Sequence, residues 1–98
     1  MAPPPCFDFT RFNYWAEVRR PFTCKVYAKP LNAEGIGGEF LGSYPPGTMI
    51  ELAEEVHQTR EYVAVRITDG GWMNVWCARN RAGRETGVFF CTIHWTWK

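Results

Sequence analysis

Apolar and polar residues alternate along most of this chain, with the two-residue period of strands rather than the longer period of helices. The clearest stretch is Tyr62 to Thr68: Val63, Val65 and Ile67 share one face, and Tyr62, Ala64, Arg66 and Thr68 share the other. Thr23 to Lys29 reads the same way, with Cys24, Val26 and Ala28 inward and Thr23, Lys25, Tyr27 and Lys29 outward. In Gly71 to Cys77, Met73, Val75 and Cys77 oppose Trp72, Asn74 and Trp76. Val88 to Trp97 groups Phe89, Cys91, Ile93 and Trp95 against Phe90, Thr92, His94 and Thr96. With two shorter segments, strands are predicted near 23–29, 39–44, 48–54, 62–68, 71–77 and 88–97. The Glu and Ala content of 48–54 also suits a helix. The Pro45-Pro46-Gly47 turn that feeds it and the strands around it decide for strand.

The connections carry turn chemistry. Asp69-Gly70 is a strong short hairpin signal. Leu31 to Gly38 reads as a loop, Glu55 to Glu61 as a polar loop, and Ala78 to Gly87 as a basic loop holding Arg79, Asn80, Arg81 and Arg84. Residues 1–5 are Pro-rich and expected to be partly disordered. Residues 6–22 leave two readings open. Phe7 and Phe9 alternate as an extended piece would, while Thr10 to Arg20 fits a short helix N-capped by Thr10 and ended before Pro21. Such a pattern predicts an all-β domain of five to six short antiparallel strands over 23–98, preceded by an aromatic N-terminal extension over 1–22.

The order of features resembles a bacterial-type SH3 domain over about residues 24–76. The residues that carry the likeness are Val26-Tyr27-Ala28-Lys29-Pro30, then Phe40-Leu41-Gly42 through Gly47-Thr48-Met49-Ile50-Glu51-Leu52, then Tyr62 to Ile67, then Asp69-Gly70-Gly71-Trp72-Met73. The resemblance implies a small SH3-like β-barrel. Tyr27 stands where the family usually has a basic residue, and Tyr62 where Trp is commoner. The acidic and paired-Trp signatures of peptide-binding eukaryotic SH3 domains are absent, so a polyproline ligand is not implied.

Composition adds one unusual feature. Five Trp, four Tyr and seven Phe make 16% of the 98 residues. Each ring buries about 150–250 Å² when enclosed, and one small barrel has too few interior positions for all of them. Some must form a second cluster or face a partner. Tyr27, Tyr62, Trp72 and Trp76 fall on outward faces and Tyr44 sits in the turn before Pro45, so these five are the candidate partner-binding residues. The loop from Lys29 to Tyr44 would border them.

Charge and chemistry narrow the rest. A net charge of +1 gives no footprint for nucleic acid, although the arginine loop beside Trp76 is a small basic patch. No apolar run reaches the length of a membrane span. No signal peptide is visible, which points to a cytoplasmic or organellar interior. Cys6, Cys24, Cys77 and Cys91 show no C-x-x-C spacing, so no metal site or redox pair is signalled and reduced thiols are expected. Cys91 and His94 differ in strand parity and so face opposite ways, which spoils them as nucleophile and base. Glu51, Glu54, Glu55 and Glu61 read as a solvated acidic edge. No catalytic residue, metal or cofactor is expected. The predicted function is a non-catalytic protein-interaction module or small subunit of an assembly. The alternatives are an exported wall- or glycan-binding module and, third, a small enzyme.

Overall fold

The computed structural model describes residues 3–30, 37–79 and 85–98, with the side chains of 85 and 86 left aside. It is all-β, and the described residues contain no helix. Eight strands form one antiparallel sheet: β1 (Phe12–Val18), β2 (Cys24–Tyr27), β3 (Phe40–Tyr44), β4 (Met49–Gln58), β5 (Tyr62–Ile67), β6 (Trp72–Arg79), β7 (Glu85–Phe89) and β8 (Cys91–Trp97). Their hydrogen-bonded order is β3-β2-β6-β5-β4-β1-β8, with β7 beside β6.

Alternation explains the core. Tyr14, Ala16 and Val18 of β1, Cys24 and Val26 of β2, Ile50 and Leu52 of β4, and Val63, Val65 and Ile67 of β5 all turn inward and are buried. Met73, Val75 and Trp76 of β6 and Cys91 of β8 complete the cluster. Each fully enclosed aliphatic side chain contributes about 1.5–3 kcal/mol.

Four expectations are corrected. First, the helix alternative for Thr10 to Arg20 gives way to β1. Asp8 closes the turn that starts this strand: its Oδ1 accepts from Thr10 Oγ1 at 2.6 Å and its carbonyl from Phe12 N at 3.1 Å. The N-terminal segment therefore contributes a strand paired to β4 on one side and to β8 on the other. Second, β4 runs through Gln58 into the segment read as a polar loop, because Val56 still packs against the core from its middle. Third, 88–97 is not one strand. Phe90 bends the chain between β7 and β8, donating its N–H to Val75 O and accepting from Arg19 N, both at 2.9 Å.

Fourth, the sheet is not closed into a barrel. β1 takes the edge of β4 and carries β8 on its far side, so the ladder ends at β8 and does not return to β3. Strong bending remains. β4 gives Met49 to Glu51 to β1, meets β5 at Leu52 and, after a register shift between Leu52 and Val56, continues along β5. Shifts of this kind sharpen local twist and re-aim side chains.

The hairpin between β5 and β6 forms where Asp69-Gly70 predicted it. Gly70 N–H donates to Ile67 O at 3.0 Å, and Gly70 takes the positive φ of 90° that a three-residue hairpin loop needs. Gly71 follows with a φ of 95°, and a Cβ there would lie 2.7 Å from Val26 Cγ1. Only glycine lets β6 start this close to β2.

Candidate functional site

Close approach at Gly71 sets Tyr27 of β2 directly opposite Trp72 of β6. Asn74, two residues further along β6, lies opposite Ala64 of β5. Paired residues of an antiparallel ladder share a face, as do residues two apart on one strand. These four side chains therefore line one outer face of the sheet, and a groove of about 210 Å³ runs over them.

Phe22 and Phe90 close one end, edge to face with ring centres 5.1 Å apart. The turn that brings Phe22 there has a cis peptide between Arg20 and Pro21, and Phe22 N–H donates to Arg19 O at 2.8 Å. Phe40 packs against the back of Tyr27 at 5.8 Å. Lys25 and Lys29 border the groove, and both are exposed. Among the described residues no carboxylate lines it, and neither lysine pairs with a carboxylate. Asn74 Oδ1 is buried without a hydrogen-bond donor. Such an acceptor costs about 1–3 kcal/mol until something donates to it.

The structure brings together two of the five expected contact residues, Tyr27 and Trp72. Tyr44 lies in a separate hollow with Leu41, Ile67 and Asp69, and its hydroxyl donates to Asp69 Oδ2 at 3.4 Å. Tyr62 is half-buried at the β4–β5 turn, where its N–H donates to Thr59 Oγ1 at 3.0 Å. Trp76 points into the core at 5% exposure, a correction to its expected outward face. The reason is a bulge: Val63 opposes Trp76 and Ala64 opposes Asn74, so Val75 is the extra residue that shifts the parity of β6. The Trp76 Nε1 is left without an acceptor among the described residues.

Sequence reasoning passed over Lys25, Asn74, Phe22 and Phe90, and named Lys29 only as the start of the bordering loop. Lys25 and Lys29 were legible, since both alternate with Tyr27 on the outward face of the strand predicted over 23–29, although β2 itself ends at Tyr27. Phe22 and Phe90 were not, because one sits in a turn and the other in a bend far along the chain. Part of the bordering loop, residues 31–36, and most of the arginine loop, residues 80–84, lie outside the described residues.

A second hollow of about 580 Å³ lies against β1 and β8, walled by Phe12, Ile93 and Trp95. It is roomier but chemically poorer. The charged group in it, Arg19, already donates from Nη1 to Phe89 O at 3.1 Å. Binding sites need a few placed polar groups as well as apolar area. The groove beside Tyr27 has them uncommitted.

Other reactive groups lie apart from both hollows or behind them. His94 Nε2 meets Glu17 Oε1 at 2.9 Å on the exposed face of β8. Cys91 is buried, with its Sγ 3.6 Å from Cys24 Sγ. The hydrogen bond to Cys24 and the burial push the Cys91 thiol well above the usual thiol range. Among the described residues no three His, Cys, Asp or Glu side chains gather where they could hold a metal ion. No helix is long and apolar enough to cross a membrane, again among the described residues. Compared with protein-family models, with curated proteins and with solved structures, the chain matches none of them.

Proposed function

We propose that this protein is a non-catalytic interaction module that binds an extended segment of a protein partner along the outer face of β2, β6 and β5. One observation carries the reading: Tyr27, Trp72, Phe22 and Phe90 line one groove, beside two lysines and an unpartnered amide oxygen. Aromatic grooves on sheet faces dock extended chains, because rigid rings give contact area at little entropic cost. The volume of about 210 Å³ falls below the roughly 300–1,000 Å³ of sites that enclose a whole small molecule. That suits side chains dipping in from a segment lying across the sheet. The SH3-like reading of residues 24–76 is part of this proposal, supported by the hairpin that delivers Trp72 to the surface.

Panning an unbiased peptide library against the full chain tests it. Peptides should be enriched on the wild type and lost on the Trp72→Ala and Tyr27→Ala variants. Enrichment indifferent to both variants sinks the reading.

A wall- or glycan-binding module is the second reading, and Trp95 and Trp97 favour it, standing 54% and 67% exposed on β8. Sugar rings stack on such indoles. Retention on peptidoglycan that disappears in Trp95→Ala and Trp97→Ala would select it.

A further inference from the structure

We infer that the groove recognises an acidic extended segment, with two carboxylates four residues apart and an apolar side chain midway between them. This rests on the interaction-module reading and names the chemistry of its partner.

Lys25 and Tyr27 stand two residues apart on β2, Lys29 follows in the bend just past the end of that strand, and all three line the same groove. An extended segment laid along β2 also shows one face at two-residue steps. Its residues at positions one and three then meet Lys25 and Tyr27, and the long Lys29 side chain, beyond the strand end, borders the path of position five. The middle position lies over the Tyr27 and Trp72 rings, where an aromatic, proline or aliphatic side chain gains most. Positions one and five lie over ammonium groups that have no carboxylate partner among the described residues.

Charge complementarity decides for an acidic occupant. Among the described residues, every charged side chain lining the groove is a lysine. Glu39, whose carbonyl accepts from Ala28 N beside Lys29, does not line the groove, and two other carboxylates of the sheet are engaged elsewhere: Asp69 accepts from Tyr44, and Glu55 pairs with Arg66 at 2.9 Å. A basic segment would meet two like charges and no counter-charge, and such juxtaposition works as rejection.

Fluorescence anisotropy on the full chain tests this with three labelled peptides sharing one core: Glu-Ser-Trp-Ser-Glu, its Gln counterpart and its Lys counterpart. We expect the Glu peptide to bind about five- to thirtyfold tighter than the Gln peptide, two rim pairs of about 0.5–1 kcal/mol each giving that ratio. The Lys peptide should not bind. Raising salt from about 0.05 M to about 0.5 M should erase most of the Glu preference. The double variant Lys25→Glu/Lys29→Glu should reverse it, favouring the Lys peptide. Both lysines are exposed, so this variant should unfold at the wild-type temperature. Equal affinity for the Glu and Gln peptides overturns the acidic preference. If library-selected peptides still depend on Trp72 in that case, the interaction-module reading survives without it. Failure of both the library and the Glu peptide removes both. Tighter, lysine-dependent binding of a single-stranded thymidine oligonucleotide overturns the proposal in favour of nucleic acid.

Discussion

Two aromatic regions of this molecule use their rings in opposite ways. At the clasp between the chain ends, rings satisfy one another. Phe7 and Phe9 stack at 5.5 Å, and both meet Tyr14 edge to face at 5.0 and 5.4 Å. Phe12 packs on Trp95 at 4.8 Å and on Trp97 at 4.6 Å. At the groove, Tyr27 and Trp72 leave a hollow between themselves and the Phe22–Phe90 pair, with uncommitted charge at its border. Both regions arise from the same aromatic surplus. Ring content therefore does not distinguish a lid over the core from a surface for a partner. The uncommitted charge beside the hollow does, since the clasp also has a hollow but its charged group is engaged.

The sharpest way to break this contrast is to remove a ring from the clasp. Tyr14 is 8% exposed and its hydroxyl accepts from Asp8 N at 2.9 Å. Tyr14→Ala should cost about 3–5 kcal/mol in chemical denaturation, the range for emptying a buried aromatic site. A loss under about 1 kcal/mol would mean that the clasp is decoration rather than structure.

Next comes Gly71→Ala. The new Cβ would meet Val26 Cγ1 at 2.7 Å and Leu41 Cδ1 at 3.0 Å, on a backbone with a φ of 95°. Overpacking and a disfavoured backbone together should cost about 2–4 kcal/mol. Because Gly71 sets the spacing of β2 and β6, peptide binding should weaken along with stability. Unchanged binding in this variant would separate the groove from the Tyr27–Trp72 pairing.

Smaller effects should mark the groove and the exposed end of the clasp. Trp72 is half-buried, so Trp72→Ala should cost no more than about 1.5 kcal/mol yet abolish binding. Trp97, 67% exposed, should cost less still when replaced by Ala and leave peptide binding intact. Acrylamide quenching of variants that keep one tryptophan adds a direct check. Trp76 at 5% exposure should be shielded, and Trp95 and Trp97 should be quenched freely.

How far the sequence foretold this arrangement follows from which signals are local. Strands β2 to β6 were legible because their alternation and turns lie within a few residues of each other. Trp72 was placed correctly because Gly70 and Gly71 lead straight into it. Trp76 was misplaced by one bulge at Val75, since a single extra residue reverses every face assignment after it and leaves no compositional mark. The strand over Phe12–Val18 was ambiguous because its stability comes from β4 and β8, which lie far along the chain. Its own alternation, Phe12, Tyr14, Ala16 and Val18, was the signal available. The sheet stays open for the same non-local reason: β1 occupies the edge of β4. The groove's end wall, Phe22 against Phe90, depends on a turn and a bend that no periodicity reveals.

The smallest effect concerns why the described lining of the groove carries no negative charge. Asp69 stands three residues before Trp72, close enough along the hairpin to have bordered the groove. Instead its Oδ2 accepts from the Tyr44 hydroxyl, on the hollow lined by Leu41 and Ile67. Partial burial, then the Asp69 charge, then that hydrogen bond hold the Tyr44 phenol above the ordinary tyrosine value. Folding thus favours the neutral phenol. Its stabilising contribution is present below the unfolded value of about 10 and is lost as pH rises through the higher folded one. Near-ultraviolet titration of the wild type against Tyr44→Phe should isolate this late-ionising tyrosine. Asp69→Asn keeps the turn chemistry, since Asn-Gly supports the same hairpin. It should bring the Tyr44 midpoint down part of the way, because burial, the larger cause, stays. The same variant should leave affinity for an acidic peptide unchanged. A gain in that affinity would show that Asp69 had been repelling the peptide, and that the groove's positive border depends on Tyr44 holding a carboxylate aside.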